Sequence, residues 1–272
     1  MKIVISGANG MLGQDLLSFL KTKDCEIYPL THQNMDITNS ALVNETLSQI
    51  KPDVLIHCAA YTNVDEIEDN FDTAYKINVE GTKNLALALK KLGATMVYIS
   101  TDYVFDGEKT TPYQVDDKTN PINKYGLTKF QGEKAVQETL EKYYIVRTSW
   151  LYGKNGKNFV ETMLNLKDKP ELKVVDDQKG CPTWTKDLAS AIWKVLKMPY
   201  GIYHGCSKGE TTWFSFAKEI FELENLNVNL KPCTTKDFPR KAKRPKYSVM
   251  ENSDLIDDWK IGLSNYLKER KG

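Results

Sequence analysis

Along roughly the first 150 residues, short runs of β-branched and aliphatic residues alternate with longer stretches in which apolar positions recur every three or four residues. The runs Lys2–Ser6, Glu26–Leu30, Asp53–Ala60, Thr95–Ser100 and Tyr144–Thr148 read as strands. The third is almost wholly apolar, as befits a strand covered on both faces. Between them, periodicity predicts helices through Leu16, Leu17 and Leu20, over Ser40 to Ile50, and over Phe71 to Leu92. Another is marked by Tyr125, Phe130, Ala135, Val136 and Leu140. Repeated strand–helix alternation predicts an α/β fold, a doubly wound parallel sheet of Rossmann-like type. Past residue 151 the alternation breaks down. Helices are expected near Asn158–Leu166, Trp184–Leu196 and Trp213–Leu223, with a short strand at Leu172–Val175. These pieces, without a sheet of their own, predict a smaller lobe over 151–272 packed on the carboxyl edge of a domain over 1–150, with an approximate boundary across which segments interleave.

The first strand runs directly into Gly7-Ala8-Asn9-Gly10-Met11-Leu12-Gly13 and then a helix. A glycine turn there lets backbone approach a pyrophosphate, and the amides opening the helix supply donors, so 1–150 reads as a dinucleotide-binding domain. The spacing is Gly-x-x-Gly-x-x-Gly rather than Gly-x-Gly-x-x-Gly. At the end of the second strand, Leu30-Thr31-His32-Gln33 lacks the carboxylate that would accept ribose hydroxyls. That absence leaves both NADPH and NADH open and tilts the expectation towards NADPH, with Thr31 or His32 as contacts for a 2′-phosphate. Asp36 reads equally as a contact to the adenine amino group or as a cap for the helix of Ser40 to Ile50. Ala59 and Ala60 end the third strand in small side chains that let a cofactor pass close by. His57, inside that apolar run, reads as a core histidine. The acidic cluster Asp65, Glu66, Glu68 and Asp69 reads as a solvated helix start. Asn78 and Gly81 inside a helix signal close packing or a kink.

The chemistry concentrates between Ser100 and Lys129. Tyr125 and Lys129, four residues apart, share one helix face, and a lysine beside a tyrosine is expected to lower the phenol's pKa. That makes Tyr125 a candidate proton donor, with the Thr101 hydroxyl arriving from the fourth strand to hold a substrate oxygen. Arg240-Lys241-Ala242-Lys243-Arg244 reads equally as a diphosphate contact or a solvated turn.

Charge adds an exclusion. With 37 basic and 36 acidic side chains the chain carries no field favouring nucleic acid or an anionic membrane, so a small-molecule substrate is expected. No apolar run approaches the ~18 residues of a bilayer span, the chain opens on a strand, and a cytoplasmic location is expected. The 5 cysteines contain no Cys-x-x-Cys pair and read as reduced and mostly buried. Neither they nor the 3 histidines have metal-ligand spacing.

Taken together, Gly7-x-x-Gly10-x-x-Gly13, Asp36-Ile37, Asn78-Val79-x-Gly81-Thr82, Thr101 and Tyr125-x-x-x-Lys129 resemble the extended short-chain dehydrogenase/reductase superfamily. Within it, Ser100–Gly107, Arg147–Gly153, Asn158-Phe159-Val160-x-Thr162-Met163, Asp177-Gln178-x-Gly180-x-Pro182-Thr183 and Arg244-Pro245 resemble the dTDP-4-dehydrorhamnose reductases. The resemblance implies reduction of a nucleotide-linked 4-keto sugar, with Tyr125 as proton donor and Lys129 tuning that phenol and holding the nicotinamide ribose. It implies that Gly7, Asn9, Gly10, Met11, Leu12, Gly13, Asp36, Ile37, Ala59, Ala60, Tyr61 and Thr62 line the cofactor. It further implies that Thr101, Asp102 and Trp150 bind the sugar, with Asn158 and Arg244 towards the nucleotide. A homodimer with a Mg2+-dependent contact is admitted, although no carboxylate set for it is identifiable. The competing expectations are a reductase of another nucleotide-linked 4-keto sugar, and a non-catalytic regulatory subunit like the methionine adenosyltransferase beta subunit. A dehydratase is disfavoured because Tyr103 stands where that chemistry needs a second carboxylic acid.

Overall fold

The computed structural model describes residues 1–271. Strands β1 (Lys2–Ser6), β2 (Glu26–Leu30), β3 (Val54–His57), β4 (Thr95–Thr101) and β5 (Tyr143–Thr148) form one parallel sheet. A sixth strand, Gly201–His204, adds in parallel to β5, giving the order Gly201–His204, β5, β4, β3, β1, β2. Four residues at a sheet edge, three of them half-buried, leave too weak a pattern to be read from sequence.

The helices are α1 (Met11–Leu20), α2 (Ser40–Ile50), α3 (Phe71–Tyr75), α4 (Thr82–Leu92), α5 (Lys124–Thr139), α6 (Phe159–Asn165), α7 (Thr185–Val195), α8 (Trp213–Leu223) and α9 (Trp259–Lys271). Alternate strand side chains point to opposite faces of the sheet. Ile3, Ile5, Ile56, Val97 and Val146 therefore meet Leu16 of α1 with Leu188 and Ile192 of α7. Val4, Leu55, Met96 and Ile145 meet Leu47 of α2, Leu85 and Leu89 of α4, and Val136 of α5. Each fully buried aliphatic side chain contributes about 1.5–3 kcal/mol, so the two cores dominate the stability of this layer. Because α7 and Gly201–His204 complete it, the chain re-enters the sheet after residue 151. The rest of the later chain packs around Phe216, Ile220, Trp259 and Leu263.

Four local expectations change. The later lobe is not sheetless: Leu172–Val175 pairs with Leu230–Cys233, Lys179–Gly180 with Thr211–Thr212, and Leu151–Tyr152 with Thr183–Trp184. The helix expected over 71–92 is interrupted by a π-helical segment, Lys76–Gly81, which carries both Asn78 and Gly81. Asn39, not Asp36, caps α2, its side chain accepting from the Leu42 N–H, while Asp36 accepts from Thr38. The acidic cluster and the basic turn find each other: Asp65 takes both Nη atoms of Arg244 at 3.0 Å, and Asp69 pairs with Lys241. Opposite charge on two neighbouring loops explains why neither is simply solvated. All five cysteines are free; Cys181 and Cys206 are buried and the other three only half-buried. No helix among the described residues is long and apolar enough to cross a membrane.

Candidate active site

In this sheet order the chain reverses direction between β1 and β3, and a parallel sheet opens a crevice at the carboxyl ends of the strands flanking such a point. Gly7 leaves β1 at φ 73°, and a Cβ there would come within 2.6 Å of the Ala59 nitrogen. A Cβ on Gly13 would meet the Gly7 carbonyl at 2.4 Å, so the turn closes only with glycine at both positions. Gly10 caps α1 without a side-chain hydrogen bond, and the first turn holds no acidic residue. The amides opening α1 are thus available to an anion, which fits a dinucleotide's pyrophosphate.

Two cavities meet at this turn. One, of about 570 Å³, is lined by Asn9, Thr31, His32, Asp36, Ile37 and Lys76, besides Gly7, Gly10, Ala59 and Ala60. The other, of about 490 Å³, includes Met11, Leu12, Gly13 and Thr62 and reaches Thr101, Asp102, Tyr125, Lys129 and Trp150. Tyr61 lines neither cavity: its N–H and C=O are held by Asn78 from the π-helical segment, at 2.8 and 3.0 Å. The same Asn78 amide donates to Thr128 on α5 at 3.0 Å. One buried side chain therefore ties the loop after β3 to the helix carrying Tyr125 and Lys129, a typical placement for a π-bulge. His57 is a core residue, bonded to Ser6 and Thr82, its pKa lowered to about 3 by burial and the Lys129 charge.

At the reacting end, Asn123 caps α5 by accepting from the Gly126 N–H at 2.8 Å. Gly126 packs so closely on the Tyr103 carbonyl that an added Cβ would lie 2.1 Å from it. These contacts fix Tyr125 beside the end of β4, where Thr101 Oγ1 donates to Asp102 Oδ1 at 2.9 Å. The other carboxylate oxygen, Oδ2, is buried without a partner. Desolvation raises the Asp102 pKa to about 7, against the Thr101 hydrogen bond that holds it down.

The expected lowering of the Tyr125 pKa is corrected. Desolvation pushes the phenol up, with the Asp102 charge adding and the Thr101 hydrogen bond opposing. The Lys129 ammonium lies over the Tyr98 ring instead, 4.1 Å from its centroid, and burial brings its pKa down to about 7. Tyr125 is thereby held as the neutral phenol, the form that donates a proton.

On the far wall, Trp150 adopts φ 46°, an uncommon conformation for a bulky residue. Its ring lies against the Gly180 backbone, where a Cβ would approach to 2.4 Å, and stacks on Trp213 at 3.4 Å with 6° between planes. Trp213 in turn donates from Nε1 to Gln178 at 3.2 Å. Trp213 is a site residue that periodicity hid, since a tryptophan opening an amphipathic helix looks like core. Behind the tryptophans a third cavity, about 480 Å³, is lined by Tyr103, Phe159, Gln178, Phe238, Arg240 and Arg244. Arg244 reaches it with its guanidinium already held by Asp65, so Arg240 is the less committed cation. Asn158 does not reach the cleft: it caps α6, accepting from Glu161, and donates to the Gly153 and Gly156 carbonyls. Among the described residues, no three His, Cys, Asp or Glu side chains converge to hold a metal ion.

Residues 1–270 match the family model described as RmlD substrate binding domain. The chain is 41% identical to a dTDP-4-dehydrorhamnose reductase of Streptomyces griseus, covering 92% of this chain and 85% of that protein. A crystal structure of a dTDP-4-dehydrorhamnose reductase from Clostridium acetobutylicum is 49% identical over 100% of both chains, with a TM-score of 0.98. The Bacillus anthracis dTDP-4-dehydrorhamnose reductase solved in complex with NADP is 44% identical, covering 98% of this chain and 99% of that one, with a TM-score of 0.96.

Proposed function

The chain belongs to the RmlD substrate binding domain family, that of the dTDP-4-dehydrorhamnose reductases, and we propose that it reduces the C4 ketone of dTDP-4-dehydro-L-rhamnose to give dTDP-L-rhamnose. The observation that carries this reading is one cavity in which Thr101, Tyr125 and Lys129 face a glycine turn on one side and Trp150 on the other. NADPH or NADH fits the cradle at Gly7, Gly10 and Gly13, and when bound supplies the hydride. Asp36, Ile37 and Ala60 line the path towards its adenosine end.

The remaining steps belong to the side chains. Tyr125 donates its phenolic proton to the C4 oxygen as the carbinol forms, and Lys129, one turn along the same helix, supplies positive charge against the developing phenolate. Thr101 places its hydroxyl beside that oxygen, and Asp102 Oδ2 accepts from a sugar hydroxyl. Trp150 covers the apolar face of the deoxysugar. The aromatic cavity behind it, with Arg240, takes the nucleotide part. In this division, residues 1–150 bind the coenzyme and 151–272 supply the nucleotide side, with the chain returning to the sheet at 185–204. The free cysteines support a cytoplasmic enzyme. A homodimer belongs to the same reading and is checked by light scattering of the purified protein.

Following NADPH and NADH absorbance with freshly generated dTDP-4-dehydro-L-rhamnose tests the activity. Oxidation with a dTDP-L-rhamnose product supports it. Tight coenzyme binding without oxidation would move the assignment to another 4-keto sugar or to a non-catalytic subunit. At equal concentrations NADPH is expected to turn over faster, since no carboxylate ends β2 and Lys76 lines the adenosine cavity; a strong NADH preference would contradict this. Trp150→Ala is expected to weaken sugar-nucleotide binding by roughly tenfold or more, the usual worth of an aromatic stacking face, with little change in coenzyme affinity. Unchanged affinity would make the tryptophan a packing residue only.

A further inference from the structure

The surroundings of Lys129 contain one feature that the reduction chemistry above does not use. Tyr98, in the middle of β4, is fully buried, and its ring face lies directly beneath the Lys129 ammonium at 4.1 Å from the centroid. The ring has little freedom. Its hydroxyl donates to the Lys129 backbone carbonyl at 3.3 Å, and it packs on Gly132, where an added Cβ would strike that hydroxyl at 2.2 Å. His57 packs against it as well, with ring centroids 5.7 Å apart. Glu133, one turn beyond Lys129 on α5, is 1% exposed and locked by Arg147 at 2.9 and 2.8 Å and by Ser100 at 2.5 Å.

We propose that Tyr98 is a positioning residue: its π-face seats the Lys129 ammonium between Tyr125 and the coenzyme cleft, while buried Glu133 supplies the counter-charge. This deepens the reductase reading and rests on it for Lys129's role, but the seat itself is a physical claim about one ammonium. A desolvated cation over a ring face is held more strongly than an exposed one, because no water competes for it. The groups around Lys129 are Glu133 on α5 with Arg147 of β5 paired to it, His57 at the end of β3, Cys58 just after it, and Tyr98 on β4. Of these, Glu133 is ion-paired with Arg147, Cys58 is held as the thiol with its pKa raised to about 12, and neutral His57 adds no charge. Burial alone drives the lysine towards the neutral amine. Tyr98 and Glu133 oppose it, so weakening either moves the loss of the ammonium to lower pH.

The test replaces Tyr98 in the full chain by phenylalanine and by progressively fluorinated phenylalanines, which keep the ring's shape while draining its face of charge. Lysine ¹³Cε signals follow the Lys129 titration directly, assigned by the resonance missing in Lys129→Met. With phenylalanine the midpoint is expected to stay near that of tyrosine. Across the fluorinated series it is expected to fall by about one pH unit in total, the size of a buried cation–π contact expressed as a pKa shift. The alkaline limb of the turnover profile should fall with it, at nearly constant KM. A midpoint that ignores fluorination overturns the seat whatever the activity. A midpoint that falls while the turnover profile stays fixed supports the seat and instead contradicts the assigned role of Lys129 in reduction.

Discussion

Tyr125→Phe lowers the turnover number by a factor on the order of 10²–10⁴ and leaves coenzyme affinity nearly unchanged, the loss expected when a general acid is removed. The geometry explains why no neighbour replaces it. The Thr101 hydroxyl is engaged with Asp102, and an aliphatic alcohol is far too weak an acid to take over the proton transfer. Asp102, with a pKa raised to about 7, is protonated in only part of the population near neutrality. The phenol's own pKa is raised, so it carries its proton across the whole working range. Phenylalanine fills the same space against Tyr103, whose ring meets Tyr125 edge-on at 5.8 Å, so the helix start should keep its packing. Steady-state kinetics with coenzyme titration checks the split. Equal turnover in the variant removes Tyr125 from the mechanism.

Arg147→Ala costs about 3–5 kcal/mol of folding stability, the usual penalty for leaving a buried charge alone. Arg147 and Glu133 are 3% and 1% exposed and meet through two hydrogen bonds, joining β5 to α5 one turn beyond Lys129. Removing the guanidinium strands the Glu133 carboxylate in a low-dielectric core, with only Ser100 left as donor. It also uncovers Phe105, over whose ring the guanidinium lies at 5.1 Å, and frees the Val115 carbonyl. Converting both partners to apolar residues is expected to recover part of the loss, since the penalty lies in the unpaired charge rather than in the missing bond. Chemical denaturation of the two variants measures this. A loss below about 1 kcal/mol for Arg147→Ala would mean that water reaches Glu133.

Much of this architecture was legible before any coordinates, because the signals were local. The five early strands and the glycine turn follow from runs of side chains within a few residues of one another, and Tyr125-x-x-x-Lys129 needs only helical spacing to put both groups on the wall of one cavity. Elements that depend on distant partners were not legible. Gly201–His204 is a strand only because β5 offers an edge, and Trp213 becomes a wall of the site only by stacking on Trp150. Asp65 and Arg244 lie 179 residues apart and pair across two loops, which no charge pattern announces. Asn158 illustrates the opposite error: a polar side chain at a helix start, read as a ligand contact, is used up by the helix itself. The pKa of Tyr125 fails for a related reason. Its place on one helix with Lys129 was visible in the spacing, but the desolvation of both groups and the pull of Tyr98 on the ammonium were not.

The most direct test of the central claim is the fate of a labelled hydride. Turnover with NADPH carrying deuterium at the transferable position of the nicotinamide C4 should place one deuterium on C4 of the sugar in dTDP-L-rhamnose, as read by NMR of the product. Deuterium at any other carbon, or retained on the coenzyme while the sugar changes, would contradict a C4 ketone reductase.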